Sequence, residues 1–343
     1  MFAYYFTPPT TSDDFRELSS AITDPVLQKR LKSLRATLFQ DVMSESFISE
    51  LVSANVTLFK QIYADFERGS TEESRAALLT TITGLKLAAA EDSFFRTIVA
   101  FNRAVLKTNF FKVSKAAVAY RLDPSFIGAL DFPRVPHGVF MVLGSRFRGF
   151  HVRFHDIARG GIRMILSANE AVYKKNKRTV FQENYNLAFT QMLKNKDIPE
   201  SGSKGTILVS TRTNNNLNDA TKANIFLQYI DAMLDVMLPG VDGVRDNLGR
   251  KEVLFFGPDE NTAGDFPVRA AYLARDRGYA QWKSLTTGKG PIVGGVPHDI
   301  YGMTTRSVRQ YVTGIYRKLG LDGSKLTKFI TGGPDGDLGS NEI

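Results

Sequence analysis

The sequence predicts an α/β protein: a helical N-terminal region, then a domain in which strands alternate with amphipathic helices. Three observations carry this expectation. From residue 14 to about 115, apolar side chains recur at helical spacing. From Lys115 onward, short runs rich in Val, Phe and Tyr read as strands. Between Asn184 and Ser210 an amphipathic helix gives way to a glycine-containing turn and a β-branched strand. With 343 residues and a hydrophobic fraction of 43%, there is room for two domains, or one large α/β domain with a helical appendage.

In the helical region, Val26, Leu27, Leu31, Leu34 and Leu38 define one apolar face, followed by Phe47, Ile48, Leu51 and Val52, then Leu58, Phe59 and Ile62. Gly69-Ser70 breaks the pattern. Ser70 or Thr71 is the candidate N-cap of the next helix, and Glu72 and Glu73 suit the positive end of its dipole. Ala76 to Ala90 and Ser93 to Lys107 continue as helices. Nothing catalytic stands out there, so the region is read as support.

Composition narrows the chemistry. No cysteine is present, which excludes disulfides, thiolate metal sites and a cysteine nucleophile. No apolar run is long enough to span a bilayer. The opening MFAYYFTPPTTSDDFRE is aromatic and then acidic, unlike a signal or transit peptide. The net charge of +9 points to an anionic ligand. Its densest run, Lys174, Lys175, Lys177 and Arg178, is read as a solvated helix face rather than a nucleic-acid stripe.

The stretch Asn184–Ser210 organises the rest. Its helix, running from about Asn169 to Lys196, carries Lys194; Ile198-Pro199 stops it, because proline lacks the backbone N–H. Ser201-Gly202-Ser203 turns, and Lys204-Gly205 feeds a strand over Thr206–Ser210. Two lysines beside a tight backbone make a place for a small anion. Upstream, Val139–Leu143 and Phe150–Phe154 read as paired strands. They lead to Ala158-Arg159-Gly160-Gly161-Ile162-Arg163, where two guanidiniums bracket a double glycine that lets backbone approach a ligand. A tight turn with surface arginines fits the same residues. Of the four histidines, His137 and His298 stand alone, and His151 and His155 fall on and just after a strand; all are read as structural.

Further on, Asn214–Gly240 reads as a helix with Ile225, Ile230, Met233, Leu234 and Met237 in the core. Val253–Phe256 reads as a buried strand ending at Gly257-Pro258-Asp259-Glu260-Asn261-Thr262. Asp259 there is either a helix N-cap or a carboxylate placed where α/β folds hold ligands. A glycine-rich loop, Thr286 to Pro297, precedes a helix from about Thr304 to Leu319. Lys328-Phe329-Ile330 begins a strand that enters a second glycine-rich turn, Gly332–Gly339. Such a turn can open a pyrophosphate-binding helix, but two residues separate Gly333 from Gly336, unlike G-x-G-x-x-G.

From about Phe101 onward, FRGFHVRFHDIARGGIR, LKNKDIPESGSKG, FFGPDENT, TGKGPIVGG and TGGPDGDLGSNEI occur in the order of the glutamate dehydrogenase family. The chain most closely resembles its large-subunit, NAD-specific branch. The resemblance implies a three-layer α/β substrate domain over 115–322 after the helical region 1–114, with 323–343 as the truncated start of a Rossmann-like dinucleotide-binding domain. It implies oxidative deamination of L-glutamate to 2-oxoglutarate and ammonia with NAD. Lys204 looks like the catalytic lysine that activates water and Asp259 like the proton-shuttling aspartate. Lys194 looks like the lysine binding the α-carboxylate, although its segment to Lys204 is shorter than in the small-subunit enzymes. Arg159, before Gly160 and Gly161, falls where those enzymes place a lysine for the distal carboxylate. Thr304 matches a threonine near the nicotinamide, and Gly333, Gly336 and Gly339 match the phosphate loop.

No metal is required, and neither nucleic acid nor membrane is an expected partner. A homo-oligomer in the cytoplasm or the mitochondrial matrix is implied for the full-length protein. The acidic residue that contacts the ribose would lie beyond residue 343, so the chain is read as a fragment inactive by itself. A non-catalytic amino-acid-binding domain and a dehydrogenase of another amino acid are the alternatives.

Overall fold

The computed structural model of the chain describes residues 1–8, 13–129, 132–210, 217–287, 290–296 and 298–330. Helices open it: α1 (Phe2–Phe6), α2 (Asp13–Ala21), α3 (Pro25–Val42), α4 (Glu45–Ala54), α5 (Val56–Arg68), α6 (Glu72–Gly84) and α7 (Ala89–Ala104). Their ends follow local chemistry. The Asp24 side chain accepts from the amides of Val26 and Leu27, with Pro25 pre-set at the first helical position. Gly69, at φ +99, terminates α5, a conformation that a Cβ disfavours. Of the two candidate caps, Thr71 closes a reciprocal box with Ser74.

The strands are β1 (Val105–Thr108), β2 (Val118–Leu122), β3 (Gly138–Leu143), β4 (Phe147–Arg153), β5 (Ala158–Arg159), β6 (Gly161–Ile165), β7 (Ser201–Val209), β8 (Arg245–Asp246) and β9 (Gly257–Pro258). Among the described residues they form one mixed sheet in the order β8-β1-β2-β3-β4-β7-β6-β9, with β5 also on β7. β3 and β4 make the expected hairpin, Val139 opposite Val152. β4 runs antiparallel to β7, whereas β6 runs parallel to it.

Helices cover both faces, giving the three layers. Long α8 (Glu170–Met192) lies on one face with Val180, Phe181 and Tyr185 in a core shared with Val139, Phe150 and Leu208. On the other face α9 (Asp219–Met237) and α10 (Phe266–Asp276) bury Ile230, Met233 and Ala270 against Phe140, Ile162, Ile207 and Val209. Adjacent Ile207 and Leu208 thus feed opposite cores, as strand alternation requires. A third core joins Met43, Leu51, Ile62, Ile82 and Phe95 within the helical region. The chain continues into α11 (His298–Tyr301) and α12 (Met303–Leu319).

Several sequence expectations need correction. The helix expected to reach Lys107 ends at Ala104, whose carbonyl accepts from Asp123 N at 2.7 Å, so the sheet begins at Val105, before the expected boundary at 115. The stripe of α3 is not core: Val26 is 61% exposed, Leu34 58% and Leu38 59%. α8 stops at Met192, well before Pro199, with Leu193 as its C-cap, 65% exposed. Ser201–Ser203 is not a turn but the start of β7. Val253–Phe256 is extended chain outside the sheet, although Leu254 and Phe256 are buried. Lys328–Ile330 carry no strand.

Candidate active site

Lys204 is in the first half of β7, opposite Val152 of β4, on the α8-facing side that Leu208 also occupies. Along β7, Gly202 lets the strand meet α8 backbone to backbone. A Cβ there would lie 2.2 Å from Met192 N and 2.3 Å from Ala188 O. Beyond α8, exposed Lys194 shares with Lys204 a cleft of about 530 Å³ walled by Glu183, Asn186, Leu187 and Gln191.

Asp259 reaches Lys204 from the other side, its Oδ2 accepting from Nζ. Both side chains are partly buried, 17% and 34% exposed. Burial pushes the Asp259 carboxyl up, but the hydrogen bond and charge of Lys204 outweigh it and hold the group below the usual carboxylate range. Asp259 is therefore ionised at neutral pH. It does not cap a helix; Asp265 precedes α10.

The residues after Asp259 are stitched to β6. Glu260 O accepts from Met164 N at 2.9 Å, and Asn261 Nδ2 donates to Met164 O at 2.9 Å. Thr262 Oγ1 donates to Ile162 O at 2.6 Å and accepts from Asp259 N at 2.9 Å. Asn261 takes φ +59, which asparagine tolerates better than most residues. The sequence D-E-N-T thus fixes the direction of the Asp259 side chain.

The double glycine admits protein rather than ligand. A Cβ on Gly160 would fall 1.5 Å from Ser203 O, and one on Gly161 would fall 2.8 Å from Asp259 Oδ2. Nor do the two arginines bracket an open space. Arg163 is taken up by Glu183 and Glu260. Arg159 is 47% exposed; its Nε lies 2.9–3.0 Å from the carboxylate oxygens of Glu200, and its guanidinium lies 5.6 Å from the Phe255 ring centroid.

Residues 78–331 match the family model described as bacterial NAD-glutamate dehydrogenase, catalytic domain. The chain belongs to this family. Glutamate dehydrogenase 2 of Dictyostelium discoideum is 45% identical across 100% of the chain and 33% of its own length. The NAD-specific glutamate dehydrogenases of Neurospora crassa and Saccharomyces cerevisiae are 46% and 41% identical, over 93% and 96% of the chain and 32% and 33% of theirs. The chain therefore spans about a third of the curated relatives it matches.

The structure brings together Lys204, Asp259, Gly160 and Gly161, sets Lys194 on the Lys204 cleft, and leaves Arg159 paired with Glu200. Thr304 is exposed in the first turn of α12, where Thr305 is the buried threonine. Gly333, Gly336 and Gly339 lie outside the described residues. Sequence reasoning missed Glu183, Glu200 and Glu260, the carboxylates that occupy the arginines. Glu200 and Glu260 stood inside quoted motifs, beside the residues singled out. His137 does not stand alone: its ring lies 6.4 Å from that of His155. No helix among the described residues is long and apolar enough to cross a membrane.

Proposed function

We propose that this chain carries the substrate half of an NAD-dependent glutamate dehydrogenase, with Lys204 and Asp259 as its acid–base pair. The observation that carries the reading is the contact between them, made from within β7 and from the residue that follows β9. Lys204 keeps Asp259 ionised, so its Oδ2 is ready to take a proton from the substrate amine. NAD, when bound, accepts the hydride, and the resulting iminium carbon is electrophilic. Water would add to that carbon as its proton passes to Lys204 Nζ, which must first have lost its own. Asp259, protonated in the earlier step, returns that proton to the carbinolamine nitrogen, so ammonia leaves and 2-oxoglutarate remains. The ion pair must open to admit substrate, whose ammonium replaces Lys204 as the partner of Asp259.

Lys194, across the cleft from Lys204, is suited to the α-carboxylate. Arg159 would serve the distal carboxylate once Glu200 is displaced or shared. Thr304 and the glycines Gly333, Gly336 and Gly339 are assigned to the nicotinamide and phosphates on the family pattern. Self-association of the full-length protein would cover apolar helix faces such as α12, where Tyr311 is 77% and Leu319 63% exposed.

The test is NAD reduction with L-glutamate by the full-length protein beside its Lys204→Ala variant. Loss of about two to four powers of ten in kcat is expected for an acid–base group. Undiminished turnover in a folded Lys204→Ala protein would remove the reading.

A further inference from the structure

A cavity larger than the Lys204 cleft lies elsewhere. It holds about 810 Å³, and its walls are the turn between β3 and β4, the start of α8, Ser210 after β7, and the helical region from Tyr4 to Glu45. Along β7 it is about six residues from Lys204, roughly 20 Å at ~3.3 Å per residue. Such a volume suits a small-molecule site.

Its charge is lopsided. Arg146, Arg148, Lys174, Lys177 and Arg178 line it against Asp41, Glu45 and Glu170. Arg178 is paired with Asp41, and Lys177 Nζ lies 3.4 Å from Glu45. Arg146, Arg148 and Lys174 have no carboxylate partner at ion-pair distance among the described residues. Lys174, Lys177 and Arg178 stand at i, i+3 and i+4, so one face of α8 presents all three, whereas Lys175 points elsewhere and is exposed. Arg146 and Arg148, two apart at the entry to β4, face them. The basic run read as a solvated helix face is therefore one wall of a concavity.

The wall is also held in place. Tyr5 donates its hydroxyl to Lys177 O at 2.6 Å, and Lys177 Nζ sits 4.9 Å from the Tyr4 ring centroid. Burial first, and then the neighbouring Arg148, pull the Lys177 ammonium below its usual range, with Glu45 and Glu170 acting against them. A bound anion would give Arg146, Arg148 and Lys174 a counter-charge, and guanidinium forks match phosphate oxygens two at a time.

We propose that this cavity binds a small molecule bearing a di- or triphosphate chain, at a site separate from the glutamate cleft. Isothermal titration of the purified protein with inorganic triphosphate and with ATP tests it. Binding of at least one in the micromolar range is expected, weakened tenfold or more by the Arg146→Ala/Lys174→Ala pair. Lys175→Ala and Lys204→Ala should leave it unchanged. ATP binding more tightly than triphosphate assigns a nucleotide; equal affinities assign the phosphate chain alone. Should the double variant fail to fold, Lys174→Glu decides, since that side chain is exposed and reverses one wall charge. Absence of binding overturns the proposal. So does equal affinity in the wall variants, or equal weakening by Lys175→Ala, which would mark mere diffuse attraction to a basic protein.

Discussion

Glu252 accepts the Nε of Arg121 at 3.0 Å, and both side chains are buried. The Arg153 guanidinium meets the other carboxylate oxygen and also donates to Val253 O at 3.1 Å. Buried Lys107 adds Arg250 O at 2.8 Å and Asp246 at 2.8 Å. One cation each from β1, β2 and β4 thus straps residues 246–253 against the sheet, and that strap delivers Gly257 and Asp259 to the site. Burial pulls the guanidiniums down, Arg121 to about 10 and Arg153 to about 9, so both remain charged at neutral pH.

Removing the carboxylate charge leaves two buried cations under-compensated. Glu252→Gln is expected to cost about 3–5 kcal/mol of unfolding free energy, the usual penalty for breaking a buried pair. Urea denaturation measures it. A cost below about 1 kcal/mol would mean that the strap is held by its other contacts.

His151 gives a pH dependence with a definite sign. It is fully buried between the Phe140 and Phe256 rings, with neither ring nitrogen hydrogen-bonded, and burial lowers its pKa to about 3. Between that value and the ordinary 6.5, the unfolded chain binds a proton that the folded chain refuses. Stability therefore falls as pH drops through this window, by about 1.4 kcal/mol per unit at most, or on the order of 2 kcal/mol at pH 5. His151→Leu should remove this loss while changing little at pH 8. Urea midpoints of both proteins from pH 4 to 8 check it; parallel curves would assign the acid sensitivity to other groups, such as His137, lowered to about 4.

The strap and the histidine show where the sequence was legible. Hydrophobic periodicity found α8, α9 and the β3–β4 hairpin because each buries one regular face; α12 forms where a helix was expected, yet it leaves Tyr311, Ile315 and Leu319 exposed. It failed over Val253–Phe256, where buried Leu254 and Phe256 imitate a strand that is anchored by side chains instead of ladder bonds. It failed on α3, where apolar spacing does not reveal whether a partner covers the face. Lys204 and Asp259 were found through motif order. Their contact, and the carboxylates that occupy Arg159 and Arg163, depend on pairings between distant segments that no local pattern encodes.

The two adjacent glycines should separate folding from catalysis. A Cβ on Gly160 would penetrate the Ser203 carbonyl at 1.5 Å, a backbone atom that cannot step aside. Gly160→Ala is therefore expected to destabilise the chain by several kcal/mol, about the upper range for single substitutions. On Gly161 the obstacle is chiefly the Asp259 side chain, with Oδ2 at 2.8 Å and Cβ at 2.9 Å. Gly161→Ala should keep more of its stability but turn Asp259 away from Lys204, lowering kcat at least tenfold. Thermal melts beside turnover of the full-length protein separate the two; equal damage to folding in both would contradict the difference.

Arg159 and Glu200 test substrate choice. Their contact at 2.9 Å is half exposed on the arginine side, with Arg159 47% and Glu200 11% exposed, so losing it should change stability by no more than about 1 kcal/mol. If Arg159 serves the distal carboxylate, Arg159→Ala removes a charge-assisted contact made in both ground and transition states. KM for L-glutamate should then rise about tenfold or more with kcat less affected. Activity on L-leucine, which has no distal carboxylate, should not fall in parallel. Glu200→Gln frees the guanidinium and should lower KM for glutamate, since displacement of a charged competitor is no longer needed. A matching loss on both substrates in Arg159→Ala would mean that the arginine braces the β5–β7 edge through Glu200 and takes no part in recognising the side chain.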